Sequence, residues 1–229
     1  MKLSIIICVY NEKDTVLQVL EQVKNVKLIN NWSKQIIIVE DCSTDGTRKL
    51  LKNLSDPSLQ IMYQPKNYGK GAAIRTAIPY CTSDYTIFQD ADLEYHPKQF
   101  NKLLGEALRN DLDVVYGSRL LENKHYHRYK LNRWAVQVLS KITNLLYHTN
   151  FTDVATNYKL IRSSLLQSLD LTSNGFDIEF ELSAKLSRKT QKISEIPIDY
   201  HPRSYAEGKK IRPSDTISGI IAIFRSLKS

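Results

Sequence analysis

The 229 residues are 42% hydrophobic and 24% charged, enough for one full core or two small ones and unlike a disordered, collagen-like or coiled-coil chain. The formal charge is +8, but residues 1–118 are balanced at 14 basic against 14 acidic, whereas 119–150 carry six against one and 201–229 six against two. An excess confined to two segments implies a local anionic partner, be it phosphate groups, a membrane surface or nucleic acid, and the longest apolar runs, 5–10 and 220–224, fall far short of the roughly 20 residues that cross a bilayer.

Residues 3–9 read as a buried strand rather than a signal peptide, because Asn11, Glu12, Lys13 and Asp14 cut the apolar stretch short. Further β-branched runs predict strands at 35–39, 59–63, 85–89 and 114–116. Helix-like stretches fall between them. Residues 15–26 place Val16, Leu20 and Val23 at helical spacing, 47–54 follow the turn Ser43-Thr44-Asp45-Gly46, 72–79 follow Gly69-Lys70-Gly71, and Pro97 suits the first turn of another helix. Strands and helices alternating in this way build a mostly parallel α/β sheet. Beyond it, 127–148 reads as one long amphipathic helix, with Leu131, Trp134, Ala135, Val138, Leu139, Ile142, Leu145 and Leu146 on one face and Arg128, Lys130, Arg133 and Lys141 on the other. A second such helix at 213–228 aligns Ile217, Ile220, Ile221, Phe224 and Leu227. Basic amphipathic helices suit a membrane surface, and packing of both stripes on the core is the plainer alternative. No repeat or linker composition divides the chain. Cys8, Cys42 and Cys81 have neither disulfide-framework nor zinc spacing, which points to a reducing, cytoplasmic setting.

Ligands of parallel sheets collect at the carboxyl ends of strands. Four such ends are polar here: Tyr10-Asn11-Glu12, Glu40-Asp41, the run from Asp90 through Ala91, Asp92 and Leu93 to Glu94, and Gly117-Ser118-Arg119. They are expected to line one crevice. Asp90, Asp92 and Glu94 alternate past an apolar strand as three hard oxygen ligands, a set suited to Mg²⁺ or Mn²⁺ holding a diphosphate. Gly69-Lys70-Gly71 is no dinucleotide fingerprint, since Ile74 fills the third glycine position, and no phosphate-binding loop of nucleotide hydrolases is present. The five histidines have no metal-ligand spacing.

Ser4 through Glu12, Ile38 through Thr47, Asn67 through Gly71 and Gln89 through Glu94 together resemble the successive motifs of the family 2 glycosyltransferases, whose fold is the nucleotide-sugar-binding GT-A fold. The later segments Val115 through Arg119, Thr152 through Lys159, Gly175 through Glu179, His201-Pro202-Arg203 and Glu207 through Lys210 look most like the dolichyl- or polyprenyl-phosphate sugar synthases of that family, the dolichol-phosphate mannosyltransferase type. The resemblance implies a single GT-A domain over 1–229, with a nucleotide-sugar-binding half at 1–118 and an acceptor-binding half at 119–229. It places Cys8, Tyr10, Glu12, Val39, Asp41, Lys70, Asp90, Ala91 and Asp92 on the donor, with Asp41 accepting from the base. It places Asp90, Asp92 and Glu94 on Mg²⁺ or Mn²⁺, and Asp92, Arg119, Arg133, Arg203 and Lys209 in the catalytic set. Cys8, Glu40 and Cys42 stand where the family usually has proline, aspartate, and glycine or asparagine, so UDP and GDP both stay open.

The function so implied is inverting transfer of a hexose from a nucleotide-sugar to a polyprenyl phosphate, by a peripheral protein on the cytoplasmic face of a membrane, with a homodimer left open. A lipid phosphate is already ionised at neutral pH and needs no general base, so the chemical task is electrostatic. The alternative is transfer to a saccharide hydroxyl, which needs a catalytic carboxylate, with Asp153, Asp177, Glu179 and Glu181 as candidates. Nucleic acid is not the expected partner, because aromatic residues do not interleave with the basic ones.

Overall fold

The computed structural model describes residues 1–121, 130–204 and 213–227. Seven strands, β1 (Lys2–Val9), β2 (Ser33–Glu40), β3 (Leu59–Tyr63), β4 (Tyr85–Asp90), β5 (Val114–Ser118), β6 (Lys159–Arg162) and β7 (Ile193–Pro197), form one sheet in the order β3-β2-β1-β4-β6-β5-β7. Only β6 runs against its neighbours. The helices are α1 (Val16–Asn25), α2 (Thr47–Lys52), α3 (Lys70–Ala77), α4 (Phe100–Arg109), α5 (Lys130–Tyr147), α6 (Ser163–Gln167), α7 (Ile178–Lys189) and α8 (Pro213–Arg225).

Strand β1 is apolar on both faces because both faces are covered. Leu3, Ile5 and Ile7 point to a core shared with Val16 and Leu20 of α1 and Phe100, Leu103 and Leu104 of α4. Ile6 points the other way, into a core shared with Ala73 and Ile74 of α3, Leu139 of α5, Phe180 and Leu182 of α7 and Ile223 of α8. Period-two alternation in one strand thus feeds two cores. The expected strands are all present, each at or slightly beyond its expected limits, and Pro97 opens a 3₁₀ turn, Pro97–Gln99, that runs into α4.

The outer helices keep part of their expected apolar stripes exposed. In α8 the expected stripe is largely the outward face: Ile217, Ile221 and Phe224 are exposed, whereas Ala222 and Ile223 are buried and Gly219 lies against the Phe180 ring. A Cβ at Gly219 would stand 2.7 Å from that ring, so the small residue sets the approach of α8 to α7. In α5, Leu139 is buried but Trp134 and Leu145 are 63% and 77% exposed. Tyr147 O–H donates to the Ile223 carbonyl at 2.7 Å and joins α5 to α8. Among the described residues no helix is long and apolar enough to cross a membrane.

Candidate active site

The carboxyl ends of β2, β1 and β4 lie side by side, with Cys8 in register between Val39 and Asp90. Each strand exit passes through a left-handed residue: Asn11 after β1, Cys42 after β2 and Leu93 after β4. A φ of +60° at Cys42 is a conformation that glycine and asparagine adopt most easily. These turns fold the three polar segments back over the strand ends.

Asp41 is buried and accepts from the Tyr68 and Gly69 backbone N–H groups, each at 2.8 Å, one on each oxygen. It therefore fixes the turn that opens α3. Cys8 lies 3.9 Å from the Lys70 carbonyl and stays a neutral thiol, because burial pushes its pKa up. Tyr10 is half-buried and Ala91 buried. Val39 is fully buried in the core, so its side chain offers a donor no open surface. Glu40 is also withdrawn from the crevice, paired with Arg48 and accepting from the Ser43 N–H.

The three carboxylates expected to hold the metal are placed differently from one another. The strand ends at Asp90 and the left-handed Leu93 breaks the alternation, so Glu94 turns inward. Its carboxylate accepts from Tyr200 O–H at 2.5 Å and from the Arg203 N–H at 2.8 Å. Among the described residues no group of three His, Cys, Asp or Glu side chains is arranged to hold a metal ion. Asp90 and Asp92 remain partly open, each beside a cation: Lys70 Nζ is 3.0 Å from Asp90 Oδ1, and Arg203 Nη2 is 3.3 Å from Asp92 Oδ2. Arg203 also grips both oxygens of buried Glu12 at 3.0 Å. Thr15 O–H ties Glu12 to the Ala91 carbonyl. Burial first, then the Asp90 and Glu94 charges, push the Asp92 carboxyl up to about 8 despite Arg203.

Arg119 is not an open cation. Its guanidinium forms a two-pronged pair with buried Asp153 at 2.6 and 2.8 Å and lies over the Tyr200 ring. A buried guanidinium needs such a partner, and Asp153 supplies it. Arg133 lies on the first half of α5, partly exposed, and Lys209 lies outside the described residues. The other acidic candidates are also engaged. Glu179 pairs with Lys159 and Lys70. Glu181 accepts from the Thr172 and Ser173 N–H groups and pairs with Lys185. Asp177 accepts from the Gly175 N–H.

Sequence reasoning missed the wall behind this loop. Tyr95 stacks on Tyr158 at 4.7 Å and meets Tyr200 at 5.0 Å, while Tyr158 O–H donates to Gln89 at 2.6 Å. Lys159, fully buried, was visible only as part of a motif, since hydropathy assigns lysine to the surface.

The sequence model of Glycosyl transferase family 2 matches residues 4–170. Dolichol-phosphate mannosyltransferase of Pyrococcus furiosus is 26% identical over 219 residues, covering 91% of this chain and 59% of that protein. Glycosyltransferase AglJ of Haloferax volcanii is 25% identical over 205 residues, covering 89% and 64%. The chain therefore spans about 60% of the length of these two curated relatives. An uncharacterized protein of Methanocaldococcus jannaschii is 26% identical over 90% of this chain and 93% of its own length. Among solved structures, mannosyl-3-phosphoglycerate synthase from Rubrobacter xylanophilus superposes with a TM-score of 0.79 at 16% identity, over 100% of this chain and 74% of that one. Glucosyl-3-phosphoglycerate synthase from Mycobacterium tuberculosis, in complex with Mn²⁺, UDP and glucosyl-3-phosphoglycerate, gives 0.71 at 17% identity over 99% and 78%.

Proposed function

The chain belongs to glycosyl transferase family 2 and has the GT-A fold, and we propose that it moves a hexose from a UDP- or GDP-sugar to a polyprenyl phosphate at the cytoplasmic face of a membrane, inverting the anomeric carbon. The observation that carries the choice of acceptor is the state of the carboxylates. A saccharide hydroxyl needs a free carboxylate as base. Asp153, Asp177, Glu179 and Glu181 are instead engaged by cations or backbone N–H groups. A phosphate needs only positive charge, and Lys70 and Arg203 converge on the strand-end loop.

Asp90 and Asp92 are hard oxygen donors, partly open at the strand-end loop, and they fit Mg²⁺ or Mn²⁺ together with donor phosphates and water. The ion, when bound, neutralises the departing nucleoside diphosphate. Lys70 adds to that neutralisation from α3, and Arg203 from the segment after β7, both from rigidly anchored backbone. Asp41 keeps the turn at Tyr68 and Gly69 closed beside the donor. Acceptance from the base by the remaining lone pairs of Asp41 stays part of the proposal, as do Cys8, Tyr10, Glu12 and Ala91 as the donor's surroundings and Arg133 and Lys209 as acceptor-side cations.

The exposed Trp134, Leu145, Ile217, Ile221 and Phe224 on α5 and α8 belong to the two segments that hold the whole basic excess. Apolar side chains flanked by positive charge suit an anionic lipid surface, where a lipid-linked phosphate is met. Release of UDP or GDP from a panel of nucleotide-sugars, with Mg²⁺, Mn²⁺ or EDTA, tests the donor half. The expected result is metal-dependent release of one nucleotide, abolished by Asp92→Ala; release that ignores both metal and Asp92 contradicts it.

A further inference from the structure

Lys70, the first residue of α3, stands between two carboxylates: its ammonium is 3.0 Å from Asp90 and 3.1 Å from Glu179 Oε1. Glu179, in the first turn of α7, gives its other oxygen to Lys159 Nζ, which also donates to the Thr156 carbonyl. Four side chains from β6, α7, α3 and β4 therefore alternate in charge. Their exposure rises along the series, from 0% at Lys159 through 5% at Glu179 and 13% at Lys70 to 23% at Asp90. The buried end is fixed and the open end is Asp90. Glu179 Oε1 thus faces the Lys70 ammonium at 3.1 Å while its other oxygen is held by Lys159.

We propose that Glu179 is a positioning residue that retains Lys70 in the crevice when a divalent ion takes Asp90, so that the ammonium passes from Asp90 to the donor diphosphate. This rests on the donor-site reading given above. Without donor, Lys70 supplies the positive charge that Asp90 needs and competes with an incoming ion. Once displaced, a lysine on its flexible four-carbon stem would extend into water unless a second anion kept it. Glu179 is that anion, and Lys159 prevents it from following the ammonium outward. Metal and diphosphate then favour one another's binding, since the ion frees Lys70 and the diphosphate receives it. The competing explanation is that Glu179 only balances the buried charge of Lys159.

Binding of UDP and GDP to the intact chain by calorimetry, with Mn²⁺ or with EDTA, and Mn²⁺ binding to the nucleotide-free chain by electron paramagnetic resonance, separate the two. The wild type is expected to bind one nucleotide at least tenfold more tightly with Mn²⁺. Glu179→Gln is expected to reduce that factor at least fivefold. Glu179→Gln combined with Lys159→Met restores charge balance, and is expected to leave the factor low. Lys70→Met is expected to bind Mn²⁺ severalfold more tightly than the wild type when nucleotide is absent. Recovery of the factor in the double variant, an unchanged factor in Glu179→Gln, or unchanged Mn²⁺ affinity in Lys70→Met overturns the proposal. If Glu179→Gln fails to fold, the charge-balanced double variant and Lys70→Met still decide it. No binding of either nucleotide by the wild type contradicts the donor-site reading itself.

Discussion

Glu181 illustrates how single charges build this molecule. Burial alone would raise its carboxyl, but the Ser173 N–H and the Lys185 ammonium outweigh burial and hold it at about 2. Its side chain is 1% exposed, so solvent screens these contacts little. A carboxyl at about 2 in the folded chain, against about 4.5 when unfolded, contributes about 3 kcal/mol. Because the folded value is the lower one, that contribution is complete above pH 4.5 and is lost as the pH falls toward 2. Urea unfolding of the wild type is therefore expected to lose about 3 kcal/mol more between pH 5 and 2 than unfolding of Glu181→Gln; identical pH dependence in the two contradicts the assignment. Arg119 and Asp153 teach the complementary lesson. The resemblance assigns Arg119 to the catalytic set and Asp153 is a candidate base for the alternative acceptor, yet a hydropathy pattern cannot reveal that two distant charges are buried against each other, and their mutual neutralisation emerges only from the fold.

Among the elements, α3 has the tightest constraint. A Cβ on Gly71 would stand 2.4 Å from the Ser173 carbonyl oxygen, and one on Gly69 2.5 Å from that of Asn174. The glycines thus let α3 abut the segment before α7, where the Ala72 N–H donates to the Asn174 carbonyl, and this approach brings Lys70 to Glu179. Gly105, inside α4, has nothing within 4 Å of its Cβ position. Gly71→Ala is expected to destabilise by about 1–3 kcal/mol through overpacking, and Gly105→Ala to stabilise by about 0.5–1 kcal/mol through helix propensity. Equal effects in urea unfolding contradict this account of the turn. The strands of the first half were legible because covered faces make them near-continuous apolar runs. Strand β6 has only four residues, and α7 buries Glu179, Glu181 and Lys185, which erases the apolar periodicity on which helix recognition depends. Both escaped the sequence for these reasons. The left-handed Leu93 likewise hid the inward turn of Glu94.

For the whole molecule, the sheet places the donor loops at one edge of β2, β1 and β4, and α5 and α8 pack together on one face, carrying the exposed apolar residues. Replacing Trp134, Ile217 and Ile221 by serine removes apolar surface that the folded chain does not bury, so thermal stability is expected to hold while co-sedimentation with anionic vesicles falls at least fivefold. Unchanged vesicle binding contradicts a membrane-facing role for these helices. The strand ends that carry the donor motifs were legible, as was the apolar stripe of α8, but an amphipathic stripe alone does not reveal which side meets the core. Transfer of label from the nucleotide-sugar that the chain uses decides whether the acceptor is a lipid phosphate. Purified protein is supplied with Mg²⁺ or Mn²⁺ and either undecaprenyl phosphate in detergent or a soluble saccharide. Label entering the organic-extractable lipid only when the polyprenyl phosphate is present is the predicted result; label entering the saccharide while the lipid phosphate stays unlabelled contradicts it.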